Sequence, residues 1–166
     1  MNLSSFYNTL ITNFSAADRI LDILDVEPVI KNSLNAKSIG KIKGNVEFKN
    51  VTFSYDDENE VLKNVSFKVS KGEKIALVGA TGAGKSTIVS LLSRFYDPTK
   101  GEILVDGKNI KNVDLESLRS QMGIMLQDTF LFSNSIMENI RYGKLNATDE
   151  EVINAAKAVN AHSFII

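Results

Sequence analysis

Three glycines in six residues, followed by Lys-Ser, constrain the stretch LVGATGAGKSTIVSLL, residues 77–92, more than any other part of the chain. Gly79-Ala80-Thr81-Gly82-Ala83-Gly84-Lys85-Ser86 fits the pattern G-x-x-x-x-G-K-[ST]. Glycines let the backbone curl so that successive N–H groups point inward with no side chain in the way. A helix-like run follows, and its positive N-terminal end adds to the same anion site. Lys85 is placed to reach the β- and γ-phosphates of a nucleotide, and the Ser86 hydroxyl to ligate Mg²⁺. Thr87 extends the helix N-terminus.

Composition narrows the alternatives. The chain has 166 residues, 43% hydrophobic and 23% charged, ordinary values for one domain with a real core. A net charge of −1 suggests no nucleic-acid partner. There is no cysteine, which excludes disulfides, thiolate metal sites and a cysteine nucleophile. A single histidine, His162, excludes a multi-histidine metal site within one chain. No segment has the 18 or more apolar residues that span a membrane. The first seventeen residues carry no charge and lack the basic start of a signal peptide, so the chain reads as soluble or peripheral.

Residues 3–24 read as a helix. Leu3, Tyr7, Leu10, Phe14, Ala17, Leu21 and Leu24 recur at spacings of four and three, the seam of a helix that packs along another. That partner is either the chain's own core or a helix outside it. Pro28 stops the run, and residues 28–44 read as a linker. VEFKNVTFSY, residues 46–55, alternates with a phase slip near Asn50 that predicts a bulge. DDENE is an acidic turn, and VLKNVSFKV a second strand. Lys71-Gly72 turns into EKIALVG, residues 73–79, whose apolar run predicts a strand buried on both faces. TIVSLLSRF follows as a helix. GEILVDGKNI is a hairpin around Asp106-Gly107. VDLESLRS is a short helix and MGIMLQ another buried strand. Residues 148–162 form a helix with Thr148 and Glu151 as a capping box, running toward the end without a clear stop.

Phosphate-loop hydrolases usually hold Mg²⁺ with a second carboxylate at the end of an apolar strand. Asp106 in ILVDG has that guise, but Gly107 follows it and hairpin-turn chemistry explains it fully. No Asn-Lys-x-Asp is present to read guanine.

From Val46 onward the chain resembles the nucleotide-binding domain of an ATP-binding cassette (ABC) exporter of the multidrug and lipid type. The stretches that carry the resemblance are VEFKNVTFSY, VLKNVSFKVSKGEKIALVGATGAGKST, LLSRFYDPTKGEILVDG, LRSQMGIMLQDTFLFSNSIMENIRYG and EEVINAAKAVNAHSFI, in the family's order and spacing. AADRILDILDVEP is similar, less specifically, to the end of the long helix leaving an exporter's membrane domain. The implied fold is α/β: a P-loop NTPase core with an antiparallel β subdomain, preceded by that helix. The implied organisation is residues 1–27 as the cytoplasmic end of the last membrane-domain helix, 28–44 as linker, and 45–166 as the N-terminal portion of the nucleotide-binding domain. The cofactors implied are ATP and Mg²⁺, bound by Gly79, Ala80, Thr81, Gly82, Ala83, Gly84, Lys85, Ser86 and Thr87. Tyr55 matches the aromatic that stacks on adenine. Gln127, 42 residues after Lys85, matches the glutamine that ligates Mg²⁺ and positions the attacking water. Asp128, Phe130, Leu131 and Phe132 match the surface that receives the coupling helices of the membrane domains. The implied partners are those helices and a second nucleotide-binding domain, at the cytoplasmic face of a membrane. His162 does not fall where the family's switch histidine does.

The departures matter as much. The family continues with an L-S-G-G-Q signature and an apolar strand ending in Asp-Glu, and this sequence has no Gly-Gly pair and no such strand. The resemblance thus implies the ATP-binding portion of a transport ATPase, inactive alone. A non-hydrolysing ATP-binding module is the alternative reading. A small phosphate-loop kinase is a further one, with only Arg94, Arg119 and Arg141 beyond the loop to build a lid.

Overall fold

The computed structural model describes residues 3–56, 59–125 and 130–166. The chain forms two compact units, Met1–Gly123 and Ile124–Ile166.

In the first unit, helix α1 spans Leu3–Leu24, as the four-and-three spacing predicts. From Phe6 onward its apolar residues stand in solvent, with Tyr7, Phe14 and Leu24 more than half exposed. The alternating segments form β1, Val46–Ser54, and β2, Glu60–Val69. Strands β3, Lys100–Val105, and β4, Lys108–Asn109, complete an antiparallel sheet of order β2-β1-β3-β4. The bulge falls where the phase slips: Phe48 pairs with Phe67 and Val51 with Val65, and Asn50 has φ 49°. Its amide donates to Ser66 Oγ at 2.8 Å. Gly101 makes the bulge sterically possible. A Cβ there would lie 2.3 Å from the Lys49 carbonyl oxygen, and its φ of 80° favours glycine. Asp106 (φ 50°) and Gly107 (φ 78°) close the β3–β4 hairpin with two left-handed residues.

Helix α2, Lys85–Leu92, lays Leu91 into a core with Phe48, Val51, Phe53, Leu62, Ile103 and Val105. A 3₁₀ turn, Ile110–Asn112, and helix α3, Leu115–Arg119, add Ile110, Val113 and Leu118. Residues 28–44 have no regular helix or strand but are laced along this unit. Ile39 is buried in the core, and Lys37 and Asn112–Asp114 exchange backbone hydrogen bonds. The Asp106 carboxylate accepts from the amides of Lys43 and Asn45, at 2.5 and 3.0 Å, and from Asn45 Nδ2. It thus ties the segment to the hairpin.

Two predicted strands do not form among the described residues. EKIALVG has no regular structure, with Ile75 50%, Leu77 37% and Val78 93% exposed. MGIMLQ likewise has none at residues 122–125, and Met125 is 96% exposed, while Leu126 and Gln127 lie outside the described residues. Apolar patterning states what a segment would bury. A two-sided strand also needs hydrogen-bonded neighbours, and parallel ones come from distant sequence. Among the described residues no strand pairs with either segment.

In the second unit, α4 spans Ile136–Arg141, α5 Asp149–Ala158 and α6 His162–Ile165. The Thr148–Glu151 capping box is present on both sides. The expected run-on toward the end is corrected. Helix α5 ends at Ala158, and Asn160 just beyond it takes φ 58° while its amide bonds Lys157 O at 3.0 Å and that of Ala161 bonds Ala156 O at 2.8 Å. His162 is half-buried and opens α6.

Candidate nucleotide site

The loop of residues 79–84 leads into α2 without a side-chain cap. Gly84 is the N-cap, left-handed at φ 83°, and no acidic residue occupies the first turn. The first amides of a helix have no intrahelical acceptor, and here no side chain supplies one, so they and the helix dipole are available to an anion. Gly84 is buried, and a Cβ there would lie 2.6 Å from Leu62 Cδ2 and 3.3 Å from Val61 O. Glycine at this position lets the loop seat directly on β2.

Lys85 turns back over the loop. Its ammonium donates to Gly79 O at 2.9 Å and Ala80 O at 2.8 Å, so a cation already sits above the curl. The Ala83 amide donates to Ala80 O at 3.2 Å, closing the turn. Ser86 is exposed, its hydroxyl free to meet a solvated ion, and Thr87 is buried. An uncapped helix start, a poised ammonium and an exposed hydroxyl fit a polyphosphate with Mg²⁺. Loop residues Thr81, Gly82 and Ala83 are exposed around it.

The sheet brings Tyr55 to this loop. Tyr55 follows β1, and its hydroxyl lies 3.1 Å from Thr87 Oγ1. Its ring meets Phe53 edge-on at 4.8 Å and Tyr96 at 5.1 Å, leaving it 53% exposed. The aromatic contacts hold the ring upright without covering it. Beside it runs a groove of about 640 Å³, lined in part by Pro28, Ile30, Phe53, Phe95 and Tyr96.

Gln127 and Asp128 lie outside the described residues. Phe130, Leu131 and Phe132 are 76%, 72% and 45% exposed, which makes them a surface patch. Phe130 and Phe132 pack edge-on at 5.0 Å, and Phe132 tilts against Tyr142 at 4.6 Å. Asn139 fixes this loop, accepting from the Phe132 amide at 2.8 Å and donating to the carbonyls of Phe132, Asn134 and Ser135. Asp106, set aside on turn chemistry, is indeed spent in the hairpin. Burial pushes its carboxyl up, but the Asn45 and Lys43 amides, the Asn45 side chain and the Gly44 amide outweigh this and hold it at about 2.

Tyr96, Thr87 as the partner of Tyr55, and Arg94 were not legible as a group. FYDP offered an aromatic pair as a signal, but pattern gives no contact across thirty residues.

Residues 62–165, more than half of the chain, match the family described as ABC transporter. An uncharacterised ABC transporter ATP-binding protein of Bacillus subtilis is 50% identical over 163 residues, 98% of this chain and 27% of that protein. An ATP-dependent lipid A-core flippase of Syntrophus aciditrophicus is 42% identical over 164 residues, 99% of this chain and 27% of that protein. The solved structure of a bacterial Atm1-family ABC exporter with ATP bound superposes with a TM-score of 0.83 at 40% identity, covering 98% of this chain and 28% of that one. The chain thus spans about a quarter of the length of the relatives it matches.

Proposed function

Because the chain belongs to the ABC transporter family, we propose that it is the ATP-binding portion of the nucleotide-binding domain of an exporter, coupling ATP binding and hydrolysis to transport. The observation that carries this reading is the uncapped start of α2 with Lys85 folded over the loop and Tyr55 beside it. In the proposal Mg-ATP lays its phosphates in residues 79–87, with Lys85 moving from Gly79 O and Ala80 O onto the β- and γ-oxygens. Ser86 and Gln127 ligate Mg²⁺, which neutralises phosphate charge when bound. Tyr55 stacks on the base. The superposition on an ATP-bound exporter supports the same use of the loop.

Residues 1–27 continue a membrane-domain helix, 28–44 connect, and 45–166 carry the nucleotide functions. The unpartnered apolar seam of α1 supports the first of these roles. Among the described residues no helix is long and apolar enough to cross a membrane. Asp128, Phe130, Leu131 and Phe132 receive coupling helices, and a second nucleotide-binding domain faces the loop at the cytoplasmic face. The exposed, Asn139-stapled aromatics support the docking role.

The test is Mg-ATP titration of the chain and of Lys85→Ala. The proposal expects binding that the substitution abolishes, since the triphosphate loses its main cationic partner. Equal affinity in both would overturn it.

A further inference from the structure

Arg94 is a buried charge that the phosphate site does not use. It is 2% exposed and follows α2, the helix of the phosphate loop. Its φ is 52°, and it ends that helix: its own amide bonds Leu91 O at 3.0 Å and the next bonds Ser90 O at 2.9 Å. Glycine or asparagine would take this turn with less strain. What arginine adds is a fork. Nε donates to the Asp97 carboxylate at 3.0 Å, one terminal nitrogen to Val113 O at 3.3 Å, and the other to Lys31 O at 3.3 Å. Arg119 locks the same corner, donating to Ser93 O and Arg94 O at 3.0 and 2.6 Å and lying 5.1 Å over the Phe95 ring.

The Lys31 bond has a consequence for the site. Residues 28–30 immediately precede it, and they line the same groove as Tyr55 and Tyr96. These residues have no helix or strand to hold them. Further along, Asn32 is tied to the Asp114 carboxylate at 2.7 Å and to the Leu115 amide. Lys31 also pairs with Glu27 across residues 28–30, and among the described bonds that tie this segment to the core of the unit, the one from Arg94 is the nearest to residues 28–30 in sequence. At about 640 Å³ the groove is of small-ligand size.

We propose that Arg94 is a positioning residue that holds residues 28–30 as the outer wall of the groove beside Tyr55, and that this groove receives the base of the nucleotide. The proposal rests on the nucleotide reading above. It makes the segment following α1 part of the base-binding side, tied to the same helix that binds phosphate. A lysine cannot replace the fork, because one ammonium cannot meet three acceptors spread around a plane.

The experiment compares two ligands, Mg-ATP and Mg-tripolyphosphate, on the wild-type chain, Arg94→Lys and Ile30→Ala. Both variants should lose affinity for ATP by roughly three- to thirtyfold, within the range of coupling between contacting groups. Both should bind tripolyphosphate as the wild type does, because the loop is untouched. A role confined to stability would move both ligands together or neither, and either result overturns the proposal. Should Arg94→Lys fail to fold, Arg94→Gln takes its place, while Ile30→Ala tests the wall itself, and an unchanged ATP affinity in either overturns the proposal. Wild-type binding to neither ligand overturns the nucleotide reading, and the proposal with it. Binding that depends on Lys85 but shows no ATP-selective loss overturns the proposal alone.

Discussion

At Tyr55 two demands meet: a ring that stacks on a base must be exposed on one face and held on its edges. The structure meets both, with Phe53 and Tyr96 edge-on and the hydroxyl at Thr87 Oγ1. Tyr55→Ala should therefore weaken Mg-ATP binding by roughly 1–3 kcal/mol, the usual worth of aromatic–base stacking. Calorimetric titration checks this, and an unchanged affinity would return Tyr55 to a packing role. Asp106 shows the opposite case, a carboxylate that looks catalytic and is structural. Its pKa falls from the ordinary 3.8 to about 2, so it stabilises the fold fully above pH 4 and loses that contribution as pH falls toward 2. Asn is tolerated at its left-handed φ, so Asp106→Asn isolates the charge. The variant should be less stable at pH 7 by about 1 kcal/mol, less than the usual worth of hydrogen bonds to a charged acceptor because solvent screens this little-buried carboxylate. Urea denaturation at pH 7, 4 and 2 should show that difference closing as pH falls. A gap that persists at pH 2 would assign it to something other than the carboxylate charge.

Among the elements, those defined by local signals were legible. The capping box at Thr148, the Asp106-Gly107 hairpin and the Asn50 bulge each declare themselves within a few residues, and each forms. Thr148→Ala removes the acceptor for the Glu151 amide, and α5 should lose roughly 1 kcal/mol. Thermal unfolding followed by far-ultraviolet circular dichroism measures it, and an unchanged midpoint would show that the cap contributes nothing. Elements that depend on distant partners were not legible. EKIALVG has the composition of a central strand, yet strand pairing is set by neighbours that composition cannot name. The stop of α5 was missed because Asn160 acts through its tolerance of positive φ, which no spacing in the sequence announces. In the site, the loop motif pointed to Lys85 and Ser86 because the pattern itself names their positions. Arg94 escaped because its meaning lies in carbonyls at Lys31 and Val113, which no local pattern announces.

For the whole molecule, binding and turnover make different demands. In-line attack on a γ-phosphate needs a positioned base, coordinated Mg²⁺ and charge stabilisation opposite the loop. This chain has no signature sequence and no apolar strand ending in Asp-Glu. Losing a catalytic base commonly costs roughly two to four powers of ten in rate. Phosphate release by the purified chain should therefore not exceed that of Lys85→Ala. Lys85-dependent turnover would mean that another carboxylate does the chemistry. The central claim is where ATP sits, and a backbone-amide NMR spectrum titrated with Mg-ATP tests it most directly. The account predicts saturable shifts at the amides of residues 79–87 and at Tyr55, absent in Lys85→Ala. Shifts confined to the lysine-lined groove around Lys41, Lys43, Lys68 and Lys108, with residues 79–87 unmoved, would contradict it.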